Sequence, residues 1–190
     1  MTRITETLSA IDQLHQQDPE KVDGVAAELI YAQQMTYWLD QLVENPSDEL
    51  QIAVRSQHLC RWEIPRSDYP VGRTGYLKWR TELGKYHAQK AVEVMTAKGY
   101  SEASCKTTST IIRKQGIKRN SDVQTLEDCA CLVFLTRDFS AFAAKHEKEK
   151  IISIVQKTWK KMSEMAQQKA LQLPFSDHDL SLLKEALSAE

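Results

Sequence analysis

Cys129-Ala130-Cys131-Leu132-Val133-Phe134-Leu135 is a seven-residue apolar run inside a longer helical pattern that Asp122 opens and that continues to about Lys145. A run this long inside a helix must be buried on most sides, so it reads as the central helix of an all-α domain. The segments on either side repeat the same logic. Upstream, Ile4 to Gln16 forms a short first helix. Asp18-Pro19-Glu20 reads as N-cap, N1 and N2 of a second, because proline at N1 forfeits no hydrogen bond and carboxylates suit the positive end. That helix extends to about Val43. Asn45-Pro46-Ser47-Asp48 breaks it and caps a third helix, Asp48 to Trp62. Residues 63–75 hold Pro65, Pro70, Gly72 and Gly75 and cannot be regular helix. Helix resumes from Tyr76 to Lys98, stopped by Gly99, and Ser101 caps the next, which ends near Gly116. Downstream of the central helix, Glu147 to Ala170 reads as one basic helix. Leu173-Pro174 ends it, and Ser176-Asp177 caps a last amphipathic helix. The expectation is a single compact bundle of about seven or eight helices over residues 1–190, with an Arg- and Pro-rich irregular loop at 63–75.

The totals agree. Proline and glycine are scarce, at 5 and 6 of 190 residues, which favours helices over sheet and its turns. Hydrophobic residues make up 42% and charged residues 27%, with a formal net charge of −1, so no global field holds the chain on nucleic acid or an anionic membrane. A nucleic-acid module using the basic 157–161 face is therefore a weak third class of function. The start, Met1-Thr2-Arg3-Ile4-Thr5-Glu6, has no apolar core of a secretory signal, and no apolar run reaches membrane-spanning length. Cys60, Cys105, Cys129 and Cys131 form neither a CxxC pair nor a zinc-finger pattern, so a cytoplasmic protein with reduced thiols is expected.

The informative residues are polar ones on apolar stripes. Glu28 sits among Val25, Tyr31, Ala32, Met35 and Leu39 on the second helix. His58 follows Leu50 and Val54 at four-residue steps, and His87 follows Leu83 and precedes Ala91. Asp128 precedes Leu132 and Leu135 on the central helix. An unpaired buried carboxylate costs several kcal/mol, so such groups must be protonated, paired or bound to a cation. Glu28, His58, His87 and Asp128 together suit a divalent metal ion, whether Mn, Zn, Fe or Mg. Such an ion could polarise a phosphoryl oxygen and acidify water. The plain alternative makes each His a hydrogen-bonded core residue and gives Asp128 a helix-end role.

Arg61-Trp62-Glu63-Ile64-Pro65-Arg66-Ser67-Asp68-Tyr69-Pro70-Val71-Gly72-Arg73 and Tyr76-Leu77-Lys78-Trp79-Arg80 interleave cations, aromatics and rigid turns. Arginine grips phosphate bidentately and stacks on flat rings, so Arg61, Arg66, Arg73 and Arg80, with Trp62 and Tyr69, are candidate substrate contacts. Glu127 or Glu63 could orient water as the catalytic group. The alternative pairs these arginines with Glu63, Asp68, Glu82 or Glu127 and pins the loop. The leading expectation is a metal-dependent phosphohydrolase for a small phosphorylated or nucleotide-like molecule. The second is a non-catalytic anion-binding or interaction domain. A homodimer through the late amphipathic helix stays open.

Those same Arg-rich motifs resemble the family called domain of unknown function 4202. Gln124-Thr125-Leu126-Glu127-Asp128, Cys131-Leu132-Val133-Phe134-Leu135, Lys145-His146 and Lys157-Thr158-Trp159 share the resemblance. It covers most of the chain and implies no assigned activity. A remoter resemblance is to the HD-domain metal-dependent phosphohydrolases, all-α bundles with ligands from an early His, a His-Asp pair, further His residues and a late Asp. It implies Glu28 at the early His, His58 at the paired His, His87 at an additional His and Asp128 at the late Asp. Leu59 stands where that motif has Asp, and Glu28 where it has His. Such departures suit a bundle that has lost its metal and kept its pocket.

Overall fold

The computed structural model describes residues 2–188. Helix dominates, as expected, and the described residues hold ten α-helices. They are α1 (Arg3–His15), α2 (Ala27–Leu42), α3 (Asp48–Arg55), α4 (Arg73–Ala97), α5 (Glu102–Ile112), α6 (Ser121–Val133), α7 (Phe139–Ala143), α8 (Lys148–Lys161), α9 (Glu164–Ala170) and α10 (Asp177–Ser188). Two expected helices are each divided, which takes eight to ten. A π-helical turn, Phe134–Asp138, separates α6 from α7, and an extended Met162 separates α8 from α9. No helix among the described residues is long and apolar enough to cross a membrane.

The chain forms two compact units, Met1–Leu126 and Glu127–Glu190. In the first, α3 packs against α1, α2 and α5, and α4 packs against α1 and α5. Ile11, Met35, Leu39, Ile52, Leu59, Met95, Ile111, Ile112 and Leu126 are the largest of its fully buried apolar side chains. Ser47 and Ser101 cap α3 and α5 as expected, each hydroxyl accepting a backbone N–H three residues on. In the second unit, α10 packs on α7 and α8. Leu182, Leu183 and Ala186 of α10 are buried there, so its apolar face lies against its own chain.

Three boundaries differ from the sequence expectation. Asp18-Pro19-Glu20 does not open α2. Instead the Asp18 carboxylate accepts from the backbone N–H of Glu20 (3.0 Å) and of Glu28 (2.9 Å). Between them lies an antiparallel hairpin, β1 (Lys21–Val22) and β2 (Val25–Ala26). Its Asp23-Gly24 turn has positive φ at both residues, 51° and 83°, as a two-residue hairpin turn requires. Apolar residues flanking Asp-Gly were the signal; the Asp-Pro-Glu cap pattern competed with it. Next, α3 ends at Arg55, and residues 56–60 form irregular turns ending at Cys60, φ 56°. His58 and Trp62 thus leave the helical stripe on which their spacing had placed them. Lastly, α4 begins at Arg73. Gly75 is required there, since a Cβ would meet the Pro70 carbonyl oxygen at 1.9 Å.

Candidate functional site

In the first unit, polar side chains from α1, α2, α4 and the turn after α3 gather around Glu28. Glu28 lies in the first turn of α2, fixed through its backbone by Asp18. One of its carboxylate oxygens, Oε2, lies 3.0 Å from Nδ1 of His58. Nε2 of His58 lies 2.9 Å from Nη1 of Arg61. A guanidinium can only donate, so Nε2 accepts and the ring proton sits on Nδ1, which donates to the carboxylate. Nε of Arg61 lies 3.8 Å from the other carboxylate oxygen of Glu28. Tyr31 stacks on the His58 ring, centroids 4.0 Å apart and 10° between planes. Arg61 also covers Trp79, its Cζ 5.0 Å from the ring centroid, and the Trp79 indole N–H donates to the Ile64 carbonyl at 2.9 Å.

His87 lies 6.1 Å from His58, centroid to centroid. Its Nδ1 donates to the Leu59 carbonyl at 2.7 Å, leaving the lone pair on Nε2. The sequence reading missed His15, at the end of α1. Its Nε2 donates to the Arg55 carbonyl at 2.9 Å, and its buried Nδ1 has no hydrogen-bond partner. Thr7, Ile11 and His15 are buried at four-residue steps, the same spacing that singled out His58.

Side-chain exposure falls along this cluster from 34% at Arg61, through 21% at His58 and 18% at Glu28. His87 and His15 are buried. Burial holds all three imidazoles below their ordinary pKa, with His87 pushed down to about 3. At His58 the charges of Arg61, Lys114 and Arg80 push the same way, so this histidine is neutral in a surround of cations. Burial raises the Glu28 carboxyl, and the Arg61 charge opposes that rise. Lys114 was not among the expected site residues, its basic stretch Lys114–Arg119 reading as a solvated face. It follows α5 with φ 54°, a left-handed conformation uncommon for a residue bearing a Cβ.

The other expected contacts are spread over neighbouring surfaces. Arg66 pins the loop, donating to the Tyr69 and Pro70 carbonyls at 2.9 and 2.8 Å, rather than to an acid. The Tyr69 hydroxyl donates to Glu82 and the Tyr86 hydroxyl to Glu63. Trp62 is half-buried in a short 3-10 turn, Arg61–Glu63, and Arg73 is exposed at the start of α4. Glu127 and Asp128 belong to the second unit. There Glu127 pairs with Lys161 at 3.2 Å, and Asp128 accepts from the backbone N–H and hydroxyl of Ser163 at 2.8 and 2.6 Å. Among the described residues, no three His, Cys, Asp or Glu side chains group as ligands for one ion.

The arrangement can hold an anion. Arg61 is a guanidinium anchored on one edge by His58 and on one face by Trp79, and the cluster's most exposed member. As arranged, the His58 lone pair that a metal would use is occupied by Arg61. The donors therefore do not fit an ion without movement of that side chain.

No curated protein and no solved structure matches the chain. A family model matches residues 5–183, and the chain belongs to that family, described as Domain of unknown function (DUF4202).

Proposed function

We propose that the first unit binds a small phosphorylated molecule at the Glu28–His58–Arg61 cluster. One observation carries this reading: Arg61, the most exposed member of the cluster, is held 2.9 Å from Nε2 of His58 and 5.0 Å over Trp79, and the charges of Lys114 and Arg80 also reach that histidine. A dianionic phosphate gains from such a concentration of cations, and arginine meets it with paired N–H donors. The neutral His58 leaves Arg61 oriented, because a ring lone pair rather than a second carboxylate holds one guanidinium edge. Calorimetric titration with inorganic phosphate and ribose 5-phosphate, in chelator and low salt, tests it. Binding near 1 mM or tighter, at least tenfold weaker in Arg61→Ala, is expected. Absence of heat from both probes removes the reading.

A second reading is a metal-dependent phosphohydrolase of HD-domain-like build. The His87 tautomer favours it: Nδ1–H on a backbone carbonyl, the usual outer support of a metal-bound imidazole, leaves the Nε2 lone pair for a ligand role. Glu28, His58 and His87 would hold the ion once Arg61 turned from His58 to the substrate. Bound there, a divalent ion supplies Lewis acidity and a more acidic water. Mn²⁺- or Zn²⁺-dependent release of phosphate from ribose 5-phosphate, abolished in His87→Gln, is the expected result for this reading. Phosphate binding that ignores added metal, with no turnover, leaves the first. We also place the protein in the cytoplasm, where the buried Cys60, Cys105, Cys129 and Cys131 stay as thiols.

A further inference from the structure

Outward from His58, two guanidinium groups flank a pair of aromatic rings. Arg61 touches its Nε2 at 2.9 Å, and the Arg61 Cζ lies 5.0 Å from the centre of Trp79. Trp79 and Tyr76 have centroids 5.9 Å apart, tilted by 45°, and the Cζ of Arg80 lies 5.8 Å from the Tyr76 centroid. The helix makes this possible. Tyr76, Trp79 and Arg80 stand at i, i+3 and i+4 on α4, so they share one face. Trp79 is buried and fixed by its bond to the Ile64 carbonyl, whereas Tyr76 is 43% exposed. An anion bound to Arg61 or Arg80 therefore lies beside a tilted ring pair whose inner member is fixed and whose outer member faces solvent. That pairing of phosphate donors with an open aromatic face is what a nucleotide needs, since every base presents a π-face for stacking.

We propose that Tyr76 stacks the base of a nucleotide whose phosphate is held by Arg61 and Arg80. The proposal rests on the phosphate-binding reading and adds the base as the second recognised group. Tyr76 is exposed, so its replacement removes the stacking face without opening the core. The test titrates the full chain with AMP, ribose 5-phosphate and inorganic phosphate by calorimetry. AMP is expected to bind at least tenfold more tightly than ribose 5-phosphate. Within Tyr76→Ala the ratio of AMP to ribose 5-phosphate affinity should fall to near one, and Tyr76→Phe should keep the wild-type ratio. Equal affinity for AMP and ribose 5-phosphate, or an AMP advantage that survives Tyr76→Ala, overturns the role of Tyr76 and spares phosphate binding. Failure of all three probes overturns both.

Discussion

Nε2 of His58 accepts a hydrogen bond from Arg61 at 2.9 Å, so an internal cation occupies the lone pair on which a metal at this histidine would depend. The two residues are three apart in sequence, across the left-handed Cys60. The charge of Arg61 also depresses the pKa of His58, second only to burial. Removing the guanidinium therefore shifts the imidazole upward. Arg61→Ala should raise the His58 pKa relative to wild type, read from side-chain ¹⁵N shifts across a pH series. An unchanged titration would show that Arg61 is not at this nitrogen.

Burial gives a pH prediction with a definite sign. His87 is pushed down to about 3 in the folded chain, against 6.5 for the unfolded. Below pH 6.5 the unfolded chain binds the extra proton, so the stabilising contribution is full above 6.5 and is lost as pH falls toward 3. His15 and His58 are lowered as well and act in the same direction. The calorimetric Tm of wild type should fall through this window, and His87→Gln should fall less steeply. Parallel curves would show that the histidine is not buried in its neutral form.

Asp128 joins α6 to the break between α8 and α9. Its two bonds to Ser163 satisfy the residue that caps α9 through the Ala166 N–H. Hydrogen bonds to a charged group contribute about 1.5–3 kcal/mol each, so Asp128→Ala should destabilise by about 2 kcal/mol or more. A double-mutant cycle with Ser163→Ala should show coupling of about 1 kcal/mol or more in urea unfolding. Additive losses would mean that the two side chains act separately.

Gly75 sets how closely the Pro-rich loop approaches α4. With the Pro70 carbonyl oxygen 1.9 Å from an added Cβ, Gly75→Ala forces backbone to move. Overpacking of this kind costs about 1–3 kcal/mol. Because Arg66 binds the Pro70 carbonyl as well, the displaced loop should also become the earliest site of proteolytic cleavage. Wild-type stability and an unchanged cleavage pattern would contradict the close approach.

The sequence by itself determined the helical class. Ser47 and Ser101 cap where they were read, Gly99 stops α4, and Leu132, Leu135, Leu182 and Leu183 are buried as their periodicity required. Those signals act within one or two turns, so a window of residues contains them. It also marked Glu28 and His87 as inward-facing polar groups, because burial on a helix follows the same short period, whereas His58 was marked on a stripe that ends at Arg55. What those groups do was decided by tertiary structure. Glu28 meets His58 across 30 residues, His87 meets the Leu59 carbonyl across 28, and His15 meets the Arg55 carbonyl across 40. Whether a lone pair faces a carboxylate, a guanidinium or a carbonyl depends on how irregular turns aim the side chains. At residues 56–60 that aim follows from the packing of Leu59 and Cys60 into the core, which no local period records.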